Sequence, residues 1–91
     1  MDLKRFEKIS KALGDLNRLK ILDDMSKKGG TATCSEVTRV LDLAQPSVSH
    51  HIKTLIEAGL IESAKEGRNH SYMLNKPLLD EFLKKLGSFA G

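Results

Sequence analysis

Ninety-one residues, 40% hydrophobic and 30% charged, suit one small globular domain spanning 1–91 and leave no room for a second independent core. A net charge of +3 permits an anionic partner. No apolar run approaches the roughly 18 residues of a membrane span, and a single cysteine, Cys34, excludes an internal disulfide framework and a multi-cysteine zinc site.

The start of the chain (Asp2, Lys4, Arg5, Glu7, Lys8) is too charged for a signal peptide, so a cytoplasmic protein without membrane contact is expected. Leu3, Phe6, Ile9 and Leu13 recur at helical spacing, which predicts an amphipathic helix over 2–13. After Gly14, Asp15 can cap a second helix carrying Leu16, Leu19, Leu22 and Met25, ended by Gly29-Gly30. Thr33-Cys34-Ser35-Glu36 has the form of a capping box and opens a short third helix with Val37, Val40 and Leu41 inside. Asp42 to Gln45 connect it to a fourth helix with Pro46 in its first turn. Val48, Ile52, Leu55 and Ile56 form its inward stripe, and Gly59 closes it. Leu60 to Lys65 and Ser71 to Leu74 read as two strands around the turn Glu66-Gly67-Arg68-Asn69. Leu78, Leu79, Phe82, Leu83 and Leu86 then mark a last helix. The fold class is therefore mainly α with a small β-hairpin: four helices, a hairpin and a fifth helix, a winged helix-turn-helix arrangement.

The net charge is unevenly placed. Residues 1–30 hold eight Lys and Arg against five Asp and Glu, residues 31–75 four against five, and residues 76–91 three against two. A nucleic-acid surface in the middle of the chain must therefore rest on the placement of a few side chains. With the apolar stripe of the fourth helix inward, Gln45, Ser47, Ser49, His50 and Lys53 gather on the outer side near its N-terminal end. These side chains hydrogen-bond to base edges and phosphates, and this is the end that a helix-turn-helix inserts into the major groove. Small polar residues on an exposed helix can merely keep it soluble, but the capped helix before and the hairpin after favour the recognition role. His51 lies at the edge of the stripe and is expected to pack. Arg68 at the hairpin tip can enter a minor groove or hold a phosphate, while Glu57, Glu62 and Glu66 oppose phosphates and make affinity salt-dependent.

Leu13-Gly14-Asp15-Leu16-Asn17-Arg18-Leu19-Lys20-Ile21-Leu22 resembles the second-helix signature of the ArsR/SmtB family of bacterial and archaeal repressors. Leu43-Ala44-Gln45-Pro46-Ser47-Val48-Ser49-His50-His51-Ile52 is similar to its recognition helix, and 65–74 to its wing. The resemblance covers essentially the whole chain. It implies a homodimer paired through the first and last helices, binding of double-stranded DNA at an inverted-repeat operator, and release by an inducer whose chemistry the residues leave unspecified. It carries DNA contacts over to Gln45, Ser47, Ser49, His50 and Arg68. The dimer surface expected from the apolar residues of the terminal helices comprises Leu3, Phe6, Ile9, Leu79, Phe82, Leu83 and Leu86.

The metal-sensing patterns of that family are missing. Thr33 and Ser35 stand where ligating cysteines would fall, and the last helix offers only the divergent carboxylates Asp80 and Glu81. No metal and no cofactor is expected. Cys34, in the first turn of a helix, is a candidate redox sensor; the plainer role is a small half-buried packing residue. Two other readings are a winged-helix module that binds protein, supported by the slight negative charge of 31–75, and a cysteine-histidine enzyme, for which no orienting third group is spaced.

Overall fold

The computed structural model describes the backbone of residues 1–91 and every side chain except those of Glu66 and Asn69. Five helices and three strands follow in the order α1 (Leu3–Leu13), α2 (Leu16–Lys27), β1 (Thr31–Thr33), α3 (Cys34–Leu41), α4 (Gln45–Glu57), β2 (Ile61–Glu66), β3 (Asn69–Leu74) and α5 (Lys76–Ser88). The winged helix-turn-helix architecture is the one expected, with one added strand.

Local chemistry sets most of the helix starts. Asp2 Oδ1 accepts the backbone N–H of Arg5 at 2.8 Å, and Asp15 Oδ1 accepts those of Asn17 and Arg18 at 2.8 and 3.2 Å. Thr33 and Glu36 satisfy one another reciprocally: the Glu36 N–H reaches Thr33 Oγ1 at 3.2 Å and the Thr33 N–H reaches Glu36 Oε1 at 3.0 Å. Lys28 then ties the end of α2 to the start of α3, with Nζ 2.9 Å from Asp24 Oδ2 and 2.7 Å from Glu36 Oε2. Asn75 caps α5 through Leu78 N–H and spends its amide on the Gly59 carbonyl at 2.9 Å.

The sheet is antiparallel with strand order β1-β3-β2. The strand not foreseen is β1, which pairs Ala32 opposite Tyr72 and puts Ala32 into the core. The hairpin pairs Ile61 with Leu74 through to Glu66 with Asn69, so β2 sits one residue later than its sequence pattern suggests, β3 starts two residues earlier, and the turn shrinks to Gly67-Arg68. Gly67 has φ 60°, a backbone angle that two-residue hairpin turns require and glycine adopts without strain. Gly59, with φ 82°, ends α4 while the Leu60 N–H reaches back to the Leu55 carbonyl at 3.0 Å; a Cβ there would sit 3.3 Å from Leu78.

Ile9, Ile21, Met25, Val37, Val48, Leu55, Leu60 and Ile61 are fully buried in one core shared by helices and sheet. Two expectations change here for one geometric reason, and a third at the edge of a stripe. A three-residue spacing in a helix of 3.6 residues per turn drifts by about 60° per step. Ile9 therefore faces the core of its own protomer and is withdrawn from the expected dimer surface. Leu16 and Leu19 swing outward while Ile21 and Met25 turn in, and Leu16 is 67% exposed. Ile56, at the edge of the α4 stripe, is 37% exposed rather than buried.

Candidate nucleic-acid interface

The turn between α3 and α4 is Asp42 to Ala44, one residue shorter than the sequence pattern suggests, because Gln45 is already helical. Asp42 leaves α3 in the left-handed region at φ 50°, a conformation that Asp tolerates better than most residues. Helix α4 has no side-chain cap at its N-terminus, where Ala44 stands at the capping position and Pro46 follows. The positive end of its dipole and the free Gln45 N–H are left facing solvent, an arrangement that suits an anionic oxygen.

Gln45, Ser47, Ser49, His50 and Lys53 are all exposed, while Val48, Ile52 and Leu55 on the opposite side are buried. The face is therefore sorted as its sequence predicts, and its polar members lie within the first three turns. Lys53 Nζ lies 3.9 Å from Glu57 Oε1, with both side chains well exposed, so the pair is weak and easily surrendered to a phosphate. Arg68 is exposed at the hairpin tip, with Lys65 and His70 exposed beside it. Glu57 and Glu62 are exposed as well; the side chain of Glu66 lies outside the described residues.

Between α4 and the sheet a shallow groove is lined by Cys34, Ile52, Ile56 and Tyr72, with Gln45 and Ser49 at its rim. Cys34 is half-buried at the first position of α3. Its neighbour Tyr72 is buried, and that burial first, then the adjoining thiol, pushes the phenol up from its ordinary range. Among the described residues no group of three or more His, Cys, Asp and Glu side chains is arranged to hold a metal ion. No helix among them is long and apolar enough to cross a membrane.

His51 packs inward, as its position at the stripe edge suggests. Its Nδ1 lies 3.2 Å from Arg18 Nη1 and 3.9 Å from Asp15 Oδ1. Arg18, which residue patterning gave no role, also donates from Nε to the Ala12 carbonyl at 2.6 Å and from Nη2 to the Lys11 carbonyl at 3.1 Å. No local signal marks such a residue, since its partners lie on two other helices.

On α1 and α5, Leu3, Leu83 and Leu86 are exposed, Leu79 and Phe82 are half-buried against the core, and Phe6 is half-buried. A mostly apolar groove between α2 and α5 is lined by Leu16, Leu19, Leu22, Leu74 and Leu79.

A family model described as a helix-turn-helix domain matches residues 13–64. The arsenical resistance operon repressor of Staphylococcus aureus is 35% identical over 86 residues, covering 94% of this chain and 81% of that one. The chain belongs to the ArsR/SmtB family of winged helix-turn-helix transcriptional regulators. Another relative, the transcriptional repressor SdpR of Bacillus subtilis, is 32% identical over 81 residues, covering 89% of this chain and 88% of that one. The crystal structure of an ArsR family transcriptional regulator superposes with a TM-score of 0.79 at 28% identity, over 98% of this chain and 93% of that one. The solution structure of a homodimeric winged helix-turn-helix DNA-binding domain from Mycobacterium bovis shares the fold, with a TM-score of 0.76 at 23% identity over 94% of this chain and 80% of that one. As an ArsR/SmtB protein the chain is a transcriptional regulator with a DNA-binding domain, in a class of proteins that are not enzymes.

Proposed function

We propose that two copies of this chain pair through α1 and α5 and set two α4 helices into successive major grooves of an inverted-repeat operator, repressing the adjacent gene. In this reading Gln45, Ser47, Ser49 and His50 contact base edges or phosphates, Lys53 holds a phosphate, and Arg68 reaches the flanking backbone or minor groove. The observation that carries it is the uncapped N-terminus of α4, where Gln45, Ser47, Ser49 and His50 are exposed and Val48 is buried. Leu3, Leu83 and Leu86, and Leu16 and Leu19 on α2, are exposed apolar side chains that a second copy would cover. The half-burial of Cys34 beside Tyr72 supports a packing role more than a sensing one. The compartment of action is the cytoplasm, where such a regulator meets DNA.

Fluorescence anisotropy against labelled duplexes tiling the DNA upstream of the gene tests the reading. Saturable binding to one duplex at low salt, weakening steeply as salt rises, is the expected result. Equal, non-saturating binding to every duplex overturns it.

A further inference from the structure

One side chain joins three helices behind the recognition surface. The Arg18 guanidinium is anchored on α2 and donates to the last carbonyls of α1, Lys11 and Ala12. Its third nitrogen points at the His51 ring on α4. Arginine has five N–H donors and no acceptor, so the Nδ1 that meets it must be the unprotonated nitrogen of a neutral imidazole. The His51 side chain is only 11% exposed, so this contact is held inside the fold and not made in solvent.

Resting on the reading of α4 as the DNA-contacting helix, we infer that Arg18 and His51 are positioning residues that fix how α4 is presented, and that protonation of His51 releases this hold. The charged groups around the ring give the direction. From α2 come the Arg18 guanidinium and the Asp15 carboxylate. On α1 the Ala12 and Lys11 carbonyls are engaged by Arg18. From α4 itself comes His50, whose ring centroid lies 5.8 Å away.

Partial burial opposes ionisation of Asp15, but the Arg18 and Asn17 backbone N–H groups, with the Arg18 charge beside them, keep its carboxyl below the usual range. Asp15 is therefore an anion throughout. With His51 neutral, the Asp15 and Arg18 charges balance. A proton on Nδ1 abolishes the acceptor, sets imidazolium against guanidinium and makes the cluster net positive. The ring then has one attractive partner, Asp15 Oδ1, 3.9 Å away and already holding two backbone N–H groups. To reach it, the ring must shift from Arg18 toward Asp15. His50 and Ser49 face outward one and two residues before His51 on the same helix, so a displacement of α4 at His51 carries them with it. Acid thus works against the DNA-binding geometry through His51.

The test uses the full chain and the duplex bound in the anisotropy screen, at constant ionic strength from about pH 8 to about pH 5.5, the range in which imidazoles titrate. His51→Asn places an amide oxygen near the position of Nδ1, keeps an acceptor for Arg18 and cannot titrate. His50 and His70 are present in both proteins, so their effect cancels in the ratio of the two affinities. We expect the variant to bind within about twofold of the wild type near pH 8 and about five- to tenfold more tightly near pH 5.5, the size of a modest coupling between sites. Arg18→Lys, which loses the planar fork, should weaken binding near pH 8 and flatten the pH profile of the ratio. Circular dichroism at each pH confirms that the compared proteins are folded, so a purely structural role would lower melting temperature and leave the ratio constant. Parallel pH profiles for the wild type and His51→Asn overturn the inference alone. Failure of the wild type to bind any duplex near pH 8 overturns the DNA reading and the inference with it.

Discussion

The rings of Phe6 and Phe82 stack face to face, centroids 4.6 Å apart and planes within 10° of parallel. Phe89 closes edge-on against Phe6 at 5.4 Å. The first and last helices are thus fastened to each other inside one protomer before any partner arrives. Both Phe6 and Phe82 are half-buried, so part of each ring is already committed to this contact.

Truncating either ring should therefore cost fold stability first and assembly second. For Phe82→Ala we expect a loss of about 2 kcal/mol, below the usual range for a fully buried phenylalanine because this one is only half-buried. A double-mutant cycle with Phe6→Ala should return a coupling of about 0.5–1.5 kcal/mol, the value of an aromatic pair beyond its area. Urea unfolding at two protein concentrations separates the fold from assembly; additive losses would show that the stack contributes nothing of its own.

Much of this organisation is legible in the residues because it is local. Asp15, Thr33-Glu36 and Gly59 announce helix ends through hydrogen bonds made within a few residues, and each does so in the structure. The outward set on α4 follows from one short apolar stripe, Val48, Ile52 and Leu55, whose three- and four-residue spacings cancel the helical drift. The misreadings come where spacing runs in threes alone, as in Leu16 and Leu19, or where the element is too short for a pattern, as in β1 with Thr31, Ala32 and Thr33. The Arg18–His51 contact was illegible for a different reason: it spans 33 residues and joins helices whose relative placement no local pattern encodes.

Leu83 is 63% exposed and makes no contribution to the core of its own chain. A charge placed there leaves the protomer intact and, in the proposed dimer, meets its own copy across the two-fold axis. Leu83→Glu should keep the wild-type circular dichroism and sediment as a monomer at concentrations where the wild type is a dimer. Its affinity for the operator duplex should fall by at least about tenfold, since two half-sites are no longer engaged together. Unchanged sedimentation would place the interface elsewhere.

The acid stability of the α2–α3 junction is expected to depend on Glu36. The Lys28 ammonium first, then the Thr33 backbone N–H and hydroxyl, hold its carboxyl down at about 2, against an ordinary value of 4.5. A carboxyl whose pKa is lower in the folded chain stabilises the fold above its unfolded value and loses that contribution as pH falls. Glu36→Gln should therefore melt at a lower temperature than the wild type at neutral pH. The gap should close as pH drops through 4.5 toward 2, the two values that bound its titration. A gap independent of pH would mean that the neutral cap geometry, and not the Lys28 ion pair, carries the effect.

Base-reading and backbone-holding residues should separate by how their loss is felt. Gln45 sits on the first turn of α4 and is exposed, where a carboxamide can pair bidentately with adenine; His50 is exposed one turn further on. Replacing either with Ala should weaken binding to the operator duplex by about 1–3 kcal/mol while leaving binding to an unrelated duplex nearly unchanged, so that specificity falls. Arg68 stands on the hairpin tip and offers charge more than pattern. Arg68→Ala should weaken both duplexes alike and reduce the slope of log affinity against log salt by about 1. Anisotropy titrations at several salt concentrations, run on both duplexes, read specificity and slope together. A specificity loss in Arg68→Ala with an unchanged slope would move that residue into a base-reading role, and uniform weakening in Gln45→Ala would take α4's first turn out of it.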